Sequence, residues 1–201
     1  MQGGPQRIGV LGGSFDPPHV GHLVIASEAH WRLGLQQVLF VPAADPPHKR
    51  LAGGVEAADR LLMVRAAVAG DARFAVSDIE VRGSLRYTVD TLTALHEMLP
   101  QAQLFFVAGS DSLLALPTWR QPERILQLCR WVVALRPGDD EDEARAAANQ
   151  WGEAVTVMDA PRIGVSSTEV RQRLGRGRPV RYLVPEAVER IIAREGWYQG
   201  P

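Results

Sequence analysis

Arg7-Ile8-Gly9-Val10-Leu11-Gly12-Gly13-Ser14-Phe15-Asp16-Pro17-Pro18-His19-Val20-Gly21-His22 is the stretch that decides how the rest of the chain is read. Its short apolar run, ending in Gly12-Gly13, predicts a buried strand stopped by a turn. From about Gly21 to Leu33 the apolar spacing becomes helical, and Gly34 stands where a helix C-cap belongs. Val38-Leu39-Phe40-Val41 then predicts a second strand, closed by Pro42. Strand, helix, strand at this spacing is one βαβ unit, and such units build parallel sheets through right-handed crossovers.

Working outward, the alternation continues: a helix near Ala57 to Ala69, a strand near Phe74 to Ser77, a helix near Val89 to Leu99 and a strand at Leu104 to Ala108. A helix at Glu123 to Leu128, strands at Trp131 to Leu135 and Val155 to Met158, and two terminal helices complete the pattern. No internal repeat, low-complexity tract or long linker divides it. The expected fold is α/β: a single Rossmann-like, doubly wound domain spanning 1–201, its mainly parallel sheet flanked by helices.

Composition bounds the partners. The 201 residues suffice for one sizeable core, and 22 Lys and Arg nearly cancel 23 Asp and Glu, so the overall field gives no reason to expect nucleic acid. No stretch approaches the roughly 20 apolar residues that cross a bilayer, and the N-terminus lacks the pattern of a signal peptide. The single cysteine, Cys129, lies in an apolar run and reads as a buried thiol in a reducing, cytoplasmic compartment. The acidic run Asp139-Asp140-Glu141-Asp142-Glu143 reads as a solvated loop opening a surface helix.

A doubly wound sheet places ligands beyond the carboxyl ends of its strands, so each chemical motif should follow a strand. After the first strand, Gly12, Gly13 and Ser14 allow close backbone approach to an anion. The pattern fits neither a dinucleotide fingerprint nor a Walker A loop. His19 and His22, three residues apart at the mouth of a helix, fall on one side near the positive end of its dipole, a donor pair suited to phosphate oxygens. No third metal ligand is evident beside them, so no protein metal site is expected. Ser166-Ser167-Thr168 before Glu169-Val170-Arg171 offers ordinary capping chemistry, or N–H groups, hydroxyls and a guanidinium to a polyphosphate.

These two segments resemble the His-x-Gly-His and Ser-Ser-Thr-x-x-Arg signatures of the nucleotidyltransferase superfamily, which includes the class I aminoacyl-tRNA synthetases. From Ile8 to the last helix the chain is similar to the bacterial nicotinate mononucleotide adenylyltransferases. The resemblance implies adenylyl transfer from ATP to nicotinate mononucleotide, giving deamido-NAD and pyrophosphate, with Mg2+ carried by ATP. It implies catalytic roles for His19, His22 and Arg171, and ATP contacts from Gly12, Gly13, Ser14, Phe15, Gly109, Asp111, Ser166, Ser167 and Thr168. For the mononucleotide it implies Lys49 of Pro46-Pro47-His48-Lys49, Tyr87, Thr88 and a stacking Trp119. Departures are small: Ser14 stands for a commoner threonine and Pro18 for a frequent isoleucine. Nicotinamide mononucleotide or phosphopantetheine as acceptor, or a non-catalytic nucleotide sensor, are the competing expectations. His96, in line with Val89, Leu92 and Leu99, is set aside as a packed histidine.

Overall fold

The chain's first strand, β1 (Gln6–Gly13), occupies the middle of a six-stranded sheet in a computed structural model that describes residues 5–44, 54–83 and 85–199. On one side of it lie β2 (Gln37–Pro42) and β3 (Phe74–Val76); on the other lie β4 (Ala102–Gly109), β5 (Cys129–Ala134) and β6 (Val155–Met158). The order is β3-β2-β1-β4-β5-β6, with every neighbouring pair parallel. The chain thus winds outward from β1 in one direction and then, through β4, in the other, which opens a crevice at the carboxyl ends of β1 and β4.

Near-continuous apolar strands follow from burial on both faces. Ile8, Val10, Leu104, Phe106, Trp131 and Val133 feed one core layer, while Leu11, Phe105, Val107, Val132 and Ala134 feed the opposite layer. Helix α1 (Val20–Arg32) follows β1, and α2 (Ala57–Val68) precedes β3. Next come α3 (Ile79–Arg82) and α4 (Thr88–Met98) before β4, then α5 (Ser110–Ala115) and α6 (Pro122–Leu128) before β5. α7 (Glu141–Asn149) precedes β6, and α8 (Ser167–Leu174) and α9 (Glu186–Glu195) end the series. A third apolar cluster joins α2 to the C-terminal part through Met63, Val170, Val188 and Ile192.

Several local expectations are corrected. Gly12 and Gly13 do not form the turn: they stay in β1, opposite Val41 and Pro42, and the first left-handed residue is Phe15, at φ 48°. The short helices α3 and α5 lack a full apolar period and escaped the pattern. His96 is exposed, because the buried stripe of α4 runs through Val89, Thr91, Leu92 and Leu95. The acidic run does open α7, where Asp140 accepts from the Glu143 N–H at 3.0 Å. Cys129 is buried, and burial pushes its thiol up to about 12.

Candidate active site

At the carboxyl ends of the central strands lies a cavity of about 760 Å³. Gly12 and Gly13 of β1 and Ala108 and Gly109 at the end of β4 form its floor, where small residues leave room that larger side chains would fill. The two signatures meet here. His19 and His22 line one wall, Ser166, Ser167 and Thr168 line another, and the Ser167 hydroxyl donates to the Pro17 carbonyl at 2.9 Å.

The histidine pair is fixed by its own helix start. His19 is the N-cap of α1, extended at φ −138°, and its backbone N–H donates to Nδ1 of His22 at 3.1 Å. With Nδ1 accepting, the proton of a neutral His22 ring resides on Nε2, which makes that atom a donor. The two rings stack with centroids 3.7 Å apart, and the buried Phe15 ring packs edge-on against His22 at 4.9 Å. Nδ1 of His19 is buried and has no hydrogen-bond partner among the described residues. Burial, and then the nearby Arg136 guanidinium, lowers the pKa of His19 to about 4. Burial, then His19, then Arg136 lowers that of His22 well below its ordinary value. Both rings are neutral near pH 7, so the wall presents hydrogen-bonding nitrogens rather than two cations.

The opening of α8 does the capping expected of it. Ser166 caps the helix, accepting from the Glu169 N–H at 3.1 Å, and the three hydroxyl residues still face the cavity. Gly109, Asp111, Tyr87, Thr88 and Trp119 line the same space. Asp111 is not the cap of α5; that position belongs to Gly109, and Asp111 pairs with Arg136 at 3.4 Å. Trp119 is held against Trp131, 5.2 Å between centroids, leaving part of the indole exposed. Arg120 lies over the Tyr87 ring at 4.8 Å.

Two expected ligands stand elsewhere. Phe15 is 1% exposed and outside the lining; its backbone is left-handed and its ring packs against His22. Arg171 is also outside the lining: Nη1 donates to the Asp16 carbonyl at 2.6 Å and Nη2 to Thr168 Oγ1 at 3.3 Å. Its guanidinium ties α8 to the loop after β1. Lys49 lies outside the described residues.

Three residues near the site went unread in the sequence. Arg136 stands two residues past the end of β5, the position where ligands gather in this topology, and that placement was a usable signal. Arg60 is fully buried in α2 and donates to the carbonyls of Ser14 at 2.5 Å and Ala43 at 2.6 Å. A charge at a buried helix position was its signal. Glu80 lines the cavity and accepts from Thr91 Oγ1 at 2.7 Å, and burial raises its carboxyl above the usual range. No sequence pattern marked it.

A family model described as cytidylyltransferase-like matches residues 10–173. A probable nicotinate-nucleotide adenylyltransferase of Synechococcus sp. (strain JA-3-3Ab) is 45% identical over 199 residues, covering 98% of this chain and 96% of the relative. Its counterpart from Thermus thermophilus is 45% identical over 194 residues, covering 96% and 100%. In fold, the nicotinic acid mononucleotide adenylyltransferase of Plasmodium falciparum, solved with NaAD, superposes with a TM-score of 0.80 at 19% identity, covering 96% of this chain and 97% of that one.

Proposed function

The chain belongs to the nicotinate-nucleotide adenylyltransferases of the cytidylyltransferase-like family, and from that premise we propose that it transfers the adenylyl group of ATP to nicotinate mononucleotide in NAD biosynthesis. The observation that carries the reading is the meeting of both signatures in one cavity, joined by the Ser167–Pro17 hydrogen bond at 2.9 Å. A second, independent feature supports the acceptor: an aromatic slot of Trp119 and Tyr87 opens into the same space. It offers π-faces to an electron-poor ring.

In the proposed reaction an oxygen of the mononucleotide's 5′-phosphate attacks the α-phosphorus of ATP. The bond between that phosphorus and the oxygen bridging to the β-phosphate breaks, and magnesium pyrophosphate departs. The attacking oxygen is already ionised near neutral pH, because a phosphate monoester has a second pKa of about 6, so no general base is needed. Catalysis then rests on alignment and on donors aimed at growing charge. The Nε2–H of neutral His22 is one such donor for the α-phosphate. Ser166, Ser167 and Thr168 receive the departing phosphates at the start of α8, where the helix dipole favours negative charge. Arg171 works from behind, keeping loop and helix together. Magnesium enters with ATP as part of the substrate, and the buried lone thiol suits a cytoplasmic setting.

Pyrophosphate release tests the reading. Protein, magnesium and ATP are mixed separately with nicotinate mononucleotide, nicotinamide mononucleotide and phosphopantetheine. Fastest turnover with the nicotinate form is expected. Preference for phosphopantetheine would transfer the chain to another acceptor, and ATP binding without release from any mixture would make it a sensor.

A further inference from the structure

The loop from Gly13 to His19 carries one wall of the cavity, and distant parts of the chain hold its backbone from behind. The Ser14 carbonyl accepts from Arg60, the Asp16 carbonyl from Arg171 and the Pro17 carbonyl from Ser167. Inside this scaffold sits Asp16, only 2% exposed. A carboxylate buried so deeply requires compensating donors. Arg171 Nη1 lies 3.7 Å from Oδ2, and the hydroxyl of Tyr198 donates to Oδ1 at 2.6 Å.

Tyr198 comes from the far end of the chain, just beyond Gly196, which closes α9. Its backbone is left-handed at φ 62°, uncommon for an aromatic residue, so the conformation that delivers this hydroxyl is held by its surroundings. Burial, and then the bond to Asp16, pushes the phenol above its usual range, so the group remains a donor at any working pH. The side chain does not line the cavity.

We propose that Tyr198 is a positioning residue for ATP: its hydroxyl satisfies the Asp16 carboxylate, which leaves the Arg171 guanidinium on the Asp16 carbonyl and keeps the loop in its ATP-facing form. The inference rests on the reading that this cavity holds ATP. Without the hydroxyl, the half-satisfied carboxylate competes with the backbone carbonyl for the same guanidinium, now 2.6 Å from the carbonyl oxygen and 3.7 Å from Oδ2. A shift of Arg171 toward the carboxylate releases the loop backbone at the point where α8 is tied to it.

The test is the dissociation constant of magnesium α,β-methylene-ATP for the full-length protein and for Tyr198→Phe, measured by calorimetry. The variant keeps the ring and loses only the donor. About tenfold weaker binding is expected, the usual scale for one hydrogen bond to a charged group. The KM for nicotinate mononucleotide should stay within about twofold, since the Trp119 side of the cavity is untouched. Irreversible loss of folded protein would lower the active fraction without altering either constant, and reversible unfolding would weaken both substrates alike. Adding Asp16→Asn to Tyr198→Phe removes the charge that competes for Arg171, so the double variant should bind the analogue more tightly than Tyr198→Phe alone, and no recovery would count against the competition. Analogue binding by Tyr198→Phe within about twofold of wild type, or equal weakening of both substrates, would overturn the proposal. Wild-type protein that binds the analogue yet releases no pyrophosphate with any mononucleotide would refute the acceptor reading, while the analogue constants still decide the role of Tyr198.

Discussion

The two ends of the cavity are built by opposite means. At the phosphate end, His19 and His22 are stacked, desolvated and locked to their own backbone, and the loop before them is gripped by Arg60, Arg171 and Ser167. At the ring end, Tyr87 and Arg120 are exposed and meet through a cation–π contact, and Trp119 is only partly covered. Donors that stabilise developing charge gain from being fixed before the substrate arrives, whereas an aromatic slot needs area more than angle. The proposed reaction would draw its rate from the first region and its acceptor affinity from the second.

The sharpest way to break this division is His22→Ala. Loss of one preorganised donor should lower kcat by about 10² to 10³, with the KM for the mononucleotide changed by less than about threefold. A kcat equal to that of wild type in steady-state assays would remove the histidine from the chemistry. At the other end, Trp119→Leu keeps apolar bulk and deletes the π-face. The KM for nicotinate mononucleotide should rise by about tenfold, in line with base–aromatic stacking of roughly 1–3 kcal/mol, while the KM for ATP stays within about twofold. Parallel increases in both would show that the two ends are not separable.

Much of this contrast was legible in the sequence, and the parts that were not share a physical cause. Hydrophobic runs marked the strands because both sheet faces are covered, and the ends of β1 and β4 announced the glycines and histidines of the site. Sequence spacing reports which residues share a face, not which way a long side chain turns once folded. Arg171 stood in the right signature, yet its guanidinium reaches back to Asp16, and Phe15 turned inward because its φ is positive. Arg60 and Tyr198 act on the loop from 46 and 182 residues away from their partners Ser14 and Asp16, contacts that no local pattern encodes.

The smallest effect expected is one of pH. In the unfolded chain histidines protonate near pH 6.5, whereas the folded pair resists protonation, His19 down to about 4. Between those values the unfolded state binds more protons, so stability falls as pH drops from 6.5 toward 4 and is flat from 6.5 to 8 as far as these groups are concerned. Thermal unfolding should show a Tm loss of about 3–5 °C per pH unit from His19 over that window. His19→Gln should flatten the slope, and an unchanged slope would mean that the ring is solvated in the folded state.

The most direct examination of the central claim is a crystal structure with magnesium α,β-methylene-ATP bound. The triphosphate should lie between residues 14–22 and Ser166–Thr168, with an α-phosphate oxygen about 3 Å from His22 Nε2. A triphosphate seated against Trp119, or an α-phosphate beyond hydrogen-bonding reach of that nitrogen, would contradict it.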